Sequence, residues 1–476
     1  MDIDILLVTP RIFYNPKSNL PENVLEIYEN NEELLKRYID LECEKRSVNL
    51  PFSGFGYIGQ LSIASFLEKN NFSVELFCPD DIITFERYKK LLMKFLRQNN
   101  VKSVGLGPYT YQYPTALAIS RIIKNTNSNI YTIIGGHHVT FLDQLVFEDS
   151  PFVDFVVRGE GEWVIKNLLE HIENNKIPRT VKGITYKINN KIKRNPDAQA
   201  GNIKELPPLK YDMLQKQNKE MCGHISISRG CPYNCTFCSE KLFWKYPRYK
   251  SSNQINKEIS TLVNEYHVKH IRFADDTFTA NPKIVAKVCE YIRNEHIDLE
   301  YSQIWTRADT INTKIIKQLN NLSNTIEVCL GIENASNKVL NIMHKNQTIQ
   351  QNIKALKIIN KNNMIAHGFW ILGHPSSDMQ KEKYTTNFIK NLIKNKICML
   401  NETSIFTPYP GSAVYSNPEK FGVNIQSFDW SKYCENPPSF PTVYSLKNLT
   451  QEQIFELFKE RYKTVNSMLS STLLSS

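Results

Sequence analysis

Residues 228–240 read Ser-Arg-Gly-Cys-Pro-Tyr-Asn-Cys-Thr-Phe-Cys-Ser-Glu, which places Cys231, Cys235 and Cys238 on one short segment. The spacing is Cys-x3-Cys-x2-Cys. Three thiolates so spaced can ligate three irons of a four-iron cluster and leave the fourth iron without a protein ligand. An open position on a metal is where a substrate or cofactor binds. The segment therefore predicts a [4Fe–4S] cluster with one open iron.

Zinc is the alternative occupant of these three cysteines. A structural zinc site has four closed Cys or His ligands, and no fourth Cys or His follows within the usual spacing. Random placement of the ten cysteines would produce this pattern only about 0.004 times per chain. The pattern is thus specific, and it favours the cluster over zinc.

Composition restricts the classes that remain. A chain of 476 residues with 41% hydrophobic and 22% charged residues is typical of a globular protein of two or three domains. The net charge of +10 is spread over a Lys- and Asn-rich sequence, so nucleic acid is not expected as a partner. The N-terminus has no basic segment typical of a signal peptide, and no apolar run has membrane length.

The other seven cysteines are scattered without a disulfide framework, which is typical of reduced thiols in a cytoplasmic protein. They are Cys43, Cys78, Cys222, Cys289, Cys329, Cys398 and Cys434. We expect a cytoplasmic protein with no membrane partner.

The first half of the chain alternates short apolar strands with helical patterns, which predicts a doubly wound, Rossmann-like parallel sheet in residues 1–181. A charged helical insertion is predicted at 17–50, and a hairpin and linker at 182–215. The predicted strands are 3–8, 74–77, 103–106 and 131–134.

Ligands bind such sheets at the carboxyl ends of the strands. Two of these ends carry glycines for close backbone approach, together with small polar groups. They contribute the candidate binding residues Gly105, Tyr109, Thr110, Gly135, Gly136 and His137. A third strand end reads Arg-Gly-Glu-Gly-Glu at 158–162. Glycine turns also end strands in folds without a ligand, so these loops alone are weak evidence.

From residue 216 to 411 the alternation restarts with six strand–helix units, which predicts a (β/α)6 partial TIM barrel. A small helical C-terminal cap is predicted at 412–476. The cysteine segment follows the first barrel strand, at the end where such barrels have their active sites. The six predicted strands are 224–228, 270–273, 300–306, 325–331, 366–372 and 402–406.

Four charged residues are predicted near the mouth of the barrel, at the same ends of the strands as the cysteine segment. Because side chains alternate along a strand, Arg307 and Glu333 are expected to point into the lumen near its open end. Asp275 and Asp276 end the second strand, where their carboxylates could accept hydrogen bonds from an ammonium group. The alternative for each is a surface salt bridge or a helix cap.

In combination, these motifs resemble the radical S-adenosylmethionine (SAM) enzymes, and within them the group with an N-terminal cobalamin-binding domain and class B methyltransferase activity. The resemblance covers residues 1 to about 450. Besides the cysteine segment, it is carried by residues 273–279, 307–309, 331–336, 371–375 and 408–412 in the second half, and by 56–58, 135–138 and 159–162 in the first.

The resemblance implies a place for each barrel residue. The amino and carboxyl groups of SAM would chelate the open iron, with Phe237 near the adenine. Asp275 or Asp276 would lie near the methionine ammonium, and Arg307 and Glu333 along the nucleoside or carboxylate.

The resemblance also implies cobalamin in the N-terminal domain. The Asp-x-His-x-x-Gly signature that places a histidine under cobalt in some relatives is absent from this sequence. We therefore expect cobalamin to bind without a protein histidine on the lower face of the cobalt.

The implied function is methylation of an unactivated carbon in a small-molecule or peptide intermediate. An electron donor such as flavodoxin or ferredoxin would reduce the cluster, SAM would be cleaved to a 5′-deoxyadenosyl radical, and a methyl group on cobalt would quench the substrate radical. Three alternatives are a radical SAM cyclase or dehydratase, an RNA methylthiolating enzyme, and a non-enzymatic cobalamin sensor. The third leaves the three clustered cysteines unexplained.

Overall fold

The computed structural model describes residues 1–10, 58–78, 85–174, 176–215, 222–434 and 442–474. The predicted helical insertion at 17–50 lies outside these residues. The described part has α/β architecture, with a Rossmann-like sheet followed by a six-stranded parallel barrel sheet. The predicted fold class is therefore confirmed.

The N-terminal sheet has seven strands in the order β3-β2-β5-β6-β7-β8-β9. Its first five strands are parallel, and β2, which lies between β3 and β5, is apolar and buried at every position, as a strand covered on both faces must be. Its strands, with the short pair β1 and β4, are β1 (Asp2–Ile3), β2 (Ile5–Val8), β3 (Val74–Phe77), β4 (Asn100–Val101), β5 (Ser103–Leu106), β6 (Tyr131–Gly135), β7 (Phe155–Val157), β8 (Ile184–Ile188) and β9 (Lys191–Arg194).

The predicted hairpin forms as β8 and β9, but it is not separate from the first sheet. Both strands extend that sheet in antiparallel orientation beyond β7. The α-helices up to this point are α1 (Ile58–Lys69), α2 (Phe85–Gln98), α3 (Tyr113–Thr126), α4 (His137–Phe141), α5 (Leu145–Asp149), α6 (Gly161–Glu173) and α7 (Asp212–Gln215).

The barrel sheet is parallel throughout and follows chain order, β10-β13-β14-β15-β16-β17. Its strands, together with the small antiparallel pair β11 and β12, are β10 (Gly223–Ile225), β11 (Ser228–Arg229), β12 (Arg248–Tyr249), β13 (His270–Phe273), β14 (Tyr301–Thr306), β15 (Thr325–Glu333), β16 (Ile365–Leu372) and β17 (Leu400–Ile405). The α-helices between them are α8 (Glu240–Trp244), α9 (Ser252–Ser260), α10 (Pro282–Asn294), α11 (Thr313–Leu319), α12 (Asn337–Ile342), α13 (Ile349–Lys361) and α14 (Met379–Lys394).

The C-terminal region packs against both sheets. It contains α15 (Ala413–Ser416), the antiparallel strands β18 (Val423–Ile425) and β19 (Tyr444–Leu446), and α16 (Gln451–Leu474). One apolar core contains Ile119 of the N-terminal part, Ile405 of the barrel and Trp430 of this region. Because the N-terminal part, the barrel and the C-terminal region bury apolar side chains in one shared core, each stabilises the others.

No helix within the described ranges combines the length and the apolar character needed to cross a lipid bilayer.

A fully buried ion pair joins the last helix to the barrel. Arg461 donates to a Glu382 carboxylate oxygen at 2.5 Å and to the Thr386 hydroxyl at 3.0 Å. Both charged side chains are completely shielded from solvent.

Removing one partner of a buried pair leaves an uncompensated charge, which costs about 3–5 kcal/mol. We therefore expect Arg461→Ala to lower the free energy of unfolding by about that amount, measured by denaturant titration. The neighbouring exposed residue supplies the control, since Glu460→Ala should change it by less than about 0.5 kcal/mol. Equal stability of the two variants would show that the pair does not hold α16 in place.

Candidate active site

The three clustered cysteines lie on a loop that leaves the carboxyl end of the first barrel strand. We call residues 230–247 the cysteine loop. Its base is closed by β11 and β12, in which Ser228 pairs with Tyr249 and Arg229 with Arg248. Gly230 begins the loop with a φ of +83°, and a β-carbon there would lie 2.9 Å from Trp244 Cβ. Only glycine fits this turn without strain.

Asp275 fastens the strand end that leads into this loop. Its carboxylate accepts hydrogen bonds from the backbone N–H groups of Ile227 at 3.1 Å and Ser228 at 2.7 Å, and from the Ser228 hydroxyl. Burial raises the pKa of Asp275 to about 6, although these hydrogen bonds lower it. Asp276 is exposed beside it, and Thr277, not Asp276, precedes the following turn.

The cysteine thiols are half-buried and lie among polar groups. Cys231 Sγ is 3.4 Å from the Thr277 hydroxyl, and Cys235 Sγ accepts from Arg307 at 3.8 Å. Burial raises the pKa of all three thiols, that of Cys238 most clearly.

Arg307 lies at the end of β14 with its guanidinium against the cysteine loop. It stacks over the Tyr233 ring at 3.6 Å and donates to both carboxylate oxygens of Asp309, at 3.0 and 3.1 Å. It also donates to the carbonyl of Lys345. Burial lowers the pKa of Arg307, but Asp309 outweighs this and raises it. The guanidinium is therefore a fixed positive charge beside Cys235.

Glu333 lies at the end of β15, after a bulge that shifts the register from Gly331 onward. It has a φ of +65° and is buried, and its carboxylate pairs with Lys345 Nζ at 2.6 Å. A β-carbon at Gly331 would collide with this carboxylate and lie 2.7 Å from Lys345 Nζ. Glycine at that position thus makes room for the ion pair.

Lys345 is a site residue that sequence reasoning missed. Through its carbonyl and its ammonium group it connects Arg307 to Glu333, so the two predicted residues meet through a third. It follows α12 in a loop outside the strand pattern, where periodicity gives no signal.

Phe237 belongs to the cysteine loop and packs near the carboxyl end of β16. It packs against a small core that contains Leu340 and Met343, and its ring is 5.9 Å from that of His374, edge to face. His374 is buried, and burial lowers its pKa to about 3. The neutral imidazole of His374 and the ring of Phe237 therefore form one wall of the candidate site.

Deeper in the barrel, a hydrogen-bonded group fills the lumen. Glu327 accepts from Tyr301, from Gln303 at 3.1 Å and from His367 at 2.8 Å. Burial alone would raise the pKa of Glu327, but His367 and the other donors lower it to about 2. These residues lie towards the amino ends of β14, β15 and β16, away from the cysteine loop.

The six candidate binding residues at the strand ends of the N-terminal sheet, which we call the crevice residues, divide into two kinds. Gly105 lies inside β5, where a β-carbon would be 2.8 Å from Leu7 Cδ2, so its place in the sheet has a packing explanation. Gly136, with a φ of +105°, directly follows the carboxyl end of β6. Tyr109 is about half exposed, and Thr110 is buried next to it.

The remaining crevice residues are Gly135 and His137. Gly135 ends β6, where a β-carbon would meet the Val157 carbonyl at 3.4 Å. The His137 ring stacks on Phe243 with centroids 3.7 Å apart, and its Nε2 is 3.1 Å from Glu240. Phe243 and Glu240 belong to α8, directly after the cysteines. The crevice edge and the cysteine loop are therefore in contact.

Comparison with known proteins agrees with this geometry. Residues 225–384 match the Radical SAM superfamily, and residues 56–169 match the B12 binding domain. An uncharacterized methyltransferase of Pyrococcus horikoshii is 33% identical over 386 residues, covering 80% of this chain and 81% of the relative. This protein belongs to the cobalamin-dependent radical SAM family.

Two further proteins are more distant. The anaerobic magnesium-protoporphyrin IX monomethyl ester cyclase of Rubrivivax gelatinosus is 25% identical, covering 71% of this chain and 61% of the cyclase. The structure of the radical SAM methyltransferase TsrM from Kitasatospora setae, with cobalamin and a [4Fe–4S] cluster bound, superposes with a TM-score of 0.68 at 12% identity. It covers 97% of this chain and 88% of TsrM, and it shows the shared fold.

The cofactors of this radical SAM enzyme are a [4Fe–4S] cluster, SAM and cobalamin, as predicted. In the described residues, the one group of three candidate ligand atoms within 4.8 Å of one another is Glu327, Cys329 and His367, which lies deeper in the barrel than the cysteine loop.

Changing Cys231, Cys235 or Cys238 singly to Ala should reduce the bound iron to less than about a tenth of wild type after anaerobic reconstitution, because we predict that these three thiolates are the cluster ligands. Cys289→Ala is the matched control, since Cys289 is buried in the core on α10. Iron and sulfide analysis gives the readout. A Cys235→Ala protein with wild-type iron content and SAM cleavage would refute the ligand assignment.

Proposed function

We propose that this enzyme methylates an unactivated carbon of a small-molecule or peptide intermediate. When bound, the reduced cluster supplies the electron that cleaves SAM to a 5′-deoxyadenosyl radical, and cobalamin supplies the methyl group. The observation that carries the proposal is the contact of His137 with α8, because it brings the cobalamin domain against the loop of the three cysteines. Hydrogen abstraction by the SAM-derived radical and methyl transfer from cobalamin would act on the same substrate carbon, so the two cofactors must be bound close together.

The residues at the barrel mouth have distinct parts in this proposal. Cys231, Cys235 and Cys238 hold the cluster. Asp276 is the carboxylate for the methionine ammonium, because Asp275 already accepts three hydrogen bonds from the strand end. Phe237 packs on the adenine, and Arg307 and Glu333 orient the rest of SAM.

The barrel has polar groups towards both ends of its strands. The hydrogen-bonded group around Glu327 lies towards the amino ends, and the cysteine loop lies at the carboxyl ends. Exclusion of water from the site between them would protect a reactive intermediate from side reactions.

On the N-terminal side, the strand ends at Tyr109–Thr110 and Gly135–His137 are the proposed contacts for cobalamin. Gly136 has a φ of +105°, and a β-carbon there would lie 3.4 Å from the Pro108 carbonyl, so glycine lets these two strand-end loops approach each other. His138 is buried between Tyr113 and Trp430, with ring centroids at 4.4 and 4.8 Å, and is thus part of the core. This supports binding without a histidine on the lower face of the cobalt.

The cluster also needs an external one-electron donor, and we propose a flavodoxin or ferredoxin in the cytoplasm. The buried cysteines Cys222, Cys289, Cys329 and Cys398 are free thiols, which fits a reducing compartment.

Arg307→Ala and Glu333→Ala should each weaken SAM binding more than tenfold while iron content is unchanged. Breaking a desolvated charge contact typically costs about 2–5 kcal/mol. Glu300→Ala is the control, because Glu300 forms an exposed pair with Lys269 just before β14 begins. Isothermal calorimetry on the reconstituted enzyme measures the affinity. Wild-type affinity in both variants would remove these residues from the SAM site.

The reaction itself is tested with SAM labelled on its methyl group. Reconstituted, cobalamin-loaded enzyme and a reductant are incubated with candidate small molecules or peptides, and the products are analysed by mass spectrometry. Label in a substrate-derived product supports methyl transfer. Production of 5′-deoxyadenosine with an unlabelled, modified substrate would instead support a radical cyclase, the activity that the Rubrivivax relative's name describes.

A further inference from the structure

The acidic strand end at 158–162 has no part in the proposed reaction so far. Sequence analysis groups it with the glycine-containing loops of the crevice. In the structure, the carboxylates of Glu160 and Glu162 both pair with arginines at the base of the cysteine loop. We call Glu160, Glu162, Arg229 and Arg248 the base ion network.

Arg229 is the centre of this network and lies two residues before Cys231. Its guanidinium is 2.5 Å from a Glu162 oxygen and 2.9 Å from a Glu160 oxygen. It also donates to the Ser62 hydroxyl at 2.9 Å, and that hydroxyl donates to Glu162. Because the forked guanidinium of Arg229 contacts both carboxylates, its orientation is fixed.

Arg248 makes Glu160 indispensable to this arrangement. Arg229 and Arg248 are direct partners across the β11–β12 pair, where like charges destabilise the pairing. Glu160 lies between them, with one oxygen 2.9 Å from Arg229 and the other 2.7 Å from Arg248. Without this carboxylate, two largely buried guanidinium groups would repel each other where the loop closes.

The N-terminal domain holds both carboxylates in place. Glu160 immediately precedes α6, and Glu162 lies in its first turn, where the helix dipole favours negative charge. A β-carbon at Gly161 would lie 2.8 Å from Ile63 Cδ1, so the glycine allows this segment to pack closely on α1.

The burial of the base ion network indicates a role other than net stabilisation of the fold. Its four side chains are between 4% and 12% exposed. Buried ion pairs contribute little net stability compared with apolar residues of the same size. The network determines the position of the loop base. It also determines the local charge, because its two guanidinium groups are balanced by its two carboxylates.

We propose that Glu160 and Glu162 are positioning residues of the cysteine loop, which act through Arg229 and Arg248 to hold its base closed and to set the charge beside the cluster. The proposal rests on the proposed assignment of the cluster to Cys231, Cys235 and Cys238. It makes the N-terminal domain a structural requirement for the cluster environment, independently of cobalamin.

The test uses full-length reconstituted enzyme without cobalamin. Glu160→Gln and Glu162→Gln each remove one negative charge beside the cluster, which favours its reduced form. At a fixed applied potential, we expect the ratio of reduced to oxidised cluster to rise at least about threefold. Glu170→Gln on the same helix is the control, because Glu170 forms an exposed pair with Lys166 and should leave the ratio unchanged.

Arg229→Lys separates geometry from charge. It keeps the positive charge but loses the forked contact, so we expect a changed electron paramagnetic resonance spectrum of the reduced cluster with a ratio closer to wild type. If a Gln variant does not fold, Glu162→Asp keeps the charge and displaces the carboxylate, and it should also change the spectrum.

A role in stability alone would give lower unfolding temperatures with the wild-type spectrum and the wild-type ratio in every folded variant, and that result would overturn the proposal. A wild-type enzyme that assembles no iron–sulfur cluster would overturn the cluster assignment and this proposal together. Absence of methyl transfer would contradict only the proposed reaction, since the cluster measurements do not depend on it.

Discussion

The carboxylate of Glu160 between Arg229 and Arg248 is the contact on which the geometry of the proposed centre depends. The cysteine loop contains one short helix and otherwise irregular backbone, and an irregular segment has few internal hydrogen bonds to fix it. Its order therefore comes from neighbours. Glu160 and Glu162 hold the base from the N-terminal domain, while Asp275 holds the preceding strand end from within the barrel.

A third attachment comes from the far side of the barrel. The Thr236 N–H donates to the Met343 carbonyl at 2.9 Å, and the Thr236 carbonyl accepts from the Val414 N–H at 3.2 Å. The loop is thus held by residues from the N-terminal sheet, the barrel and the C-terminal region. Attachment to separate elements restricts the motion of the loop, and a proposed reaction that needs two bound cofactors in fixed positions benefits from that restriction.

Sequence patterns predict the strands well, because apolar periodicity records which face is buried. In β15, Ile326, Val328 and Leu330 face the helices as the period of two requires. The pattern does not record the bulge at Gly331 or the left-handed backbone of Glu333, since both depend on the ion pair with Lys345. Long-range charge pairs leave no periodic signal, so Lys345 and the partners of Arg229 become visible only in three dimensions.

The same reasoning explains why glycine-containing loops were the less reliable guide to function. Gly105 and Gly161 are both required by close packing, against Leu7 and Ile63 respectively, whether or not a ligand is bound. Gly136 and Gly159 differ from these, because both have a positive φ, of +105° and +74°, which a side chain would strain. Positive φ alone does not separate a binding loop from a supporting one, since Gly159 immediately precedes Glu160. The two strand ends of the N-terminal domain are distinguished by what they contact: the one at Gly136 leads to His137, which lies against α8, whereas the one at Gly159 leads to Glu160 and Glu162, which hold the base of the cysteine loop.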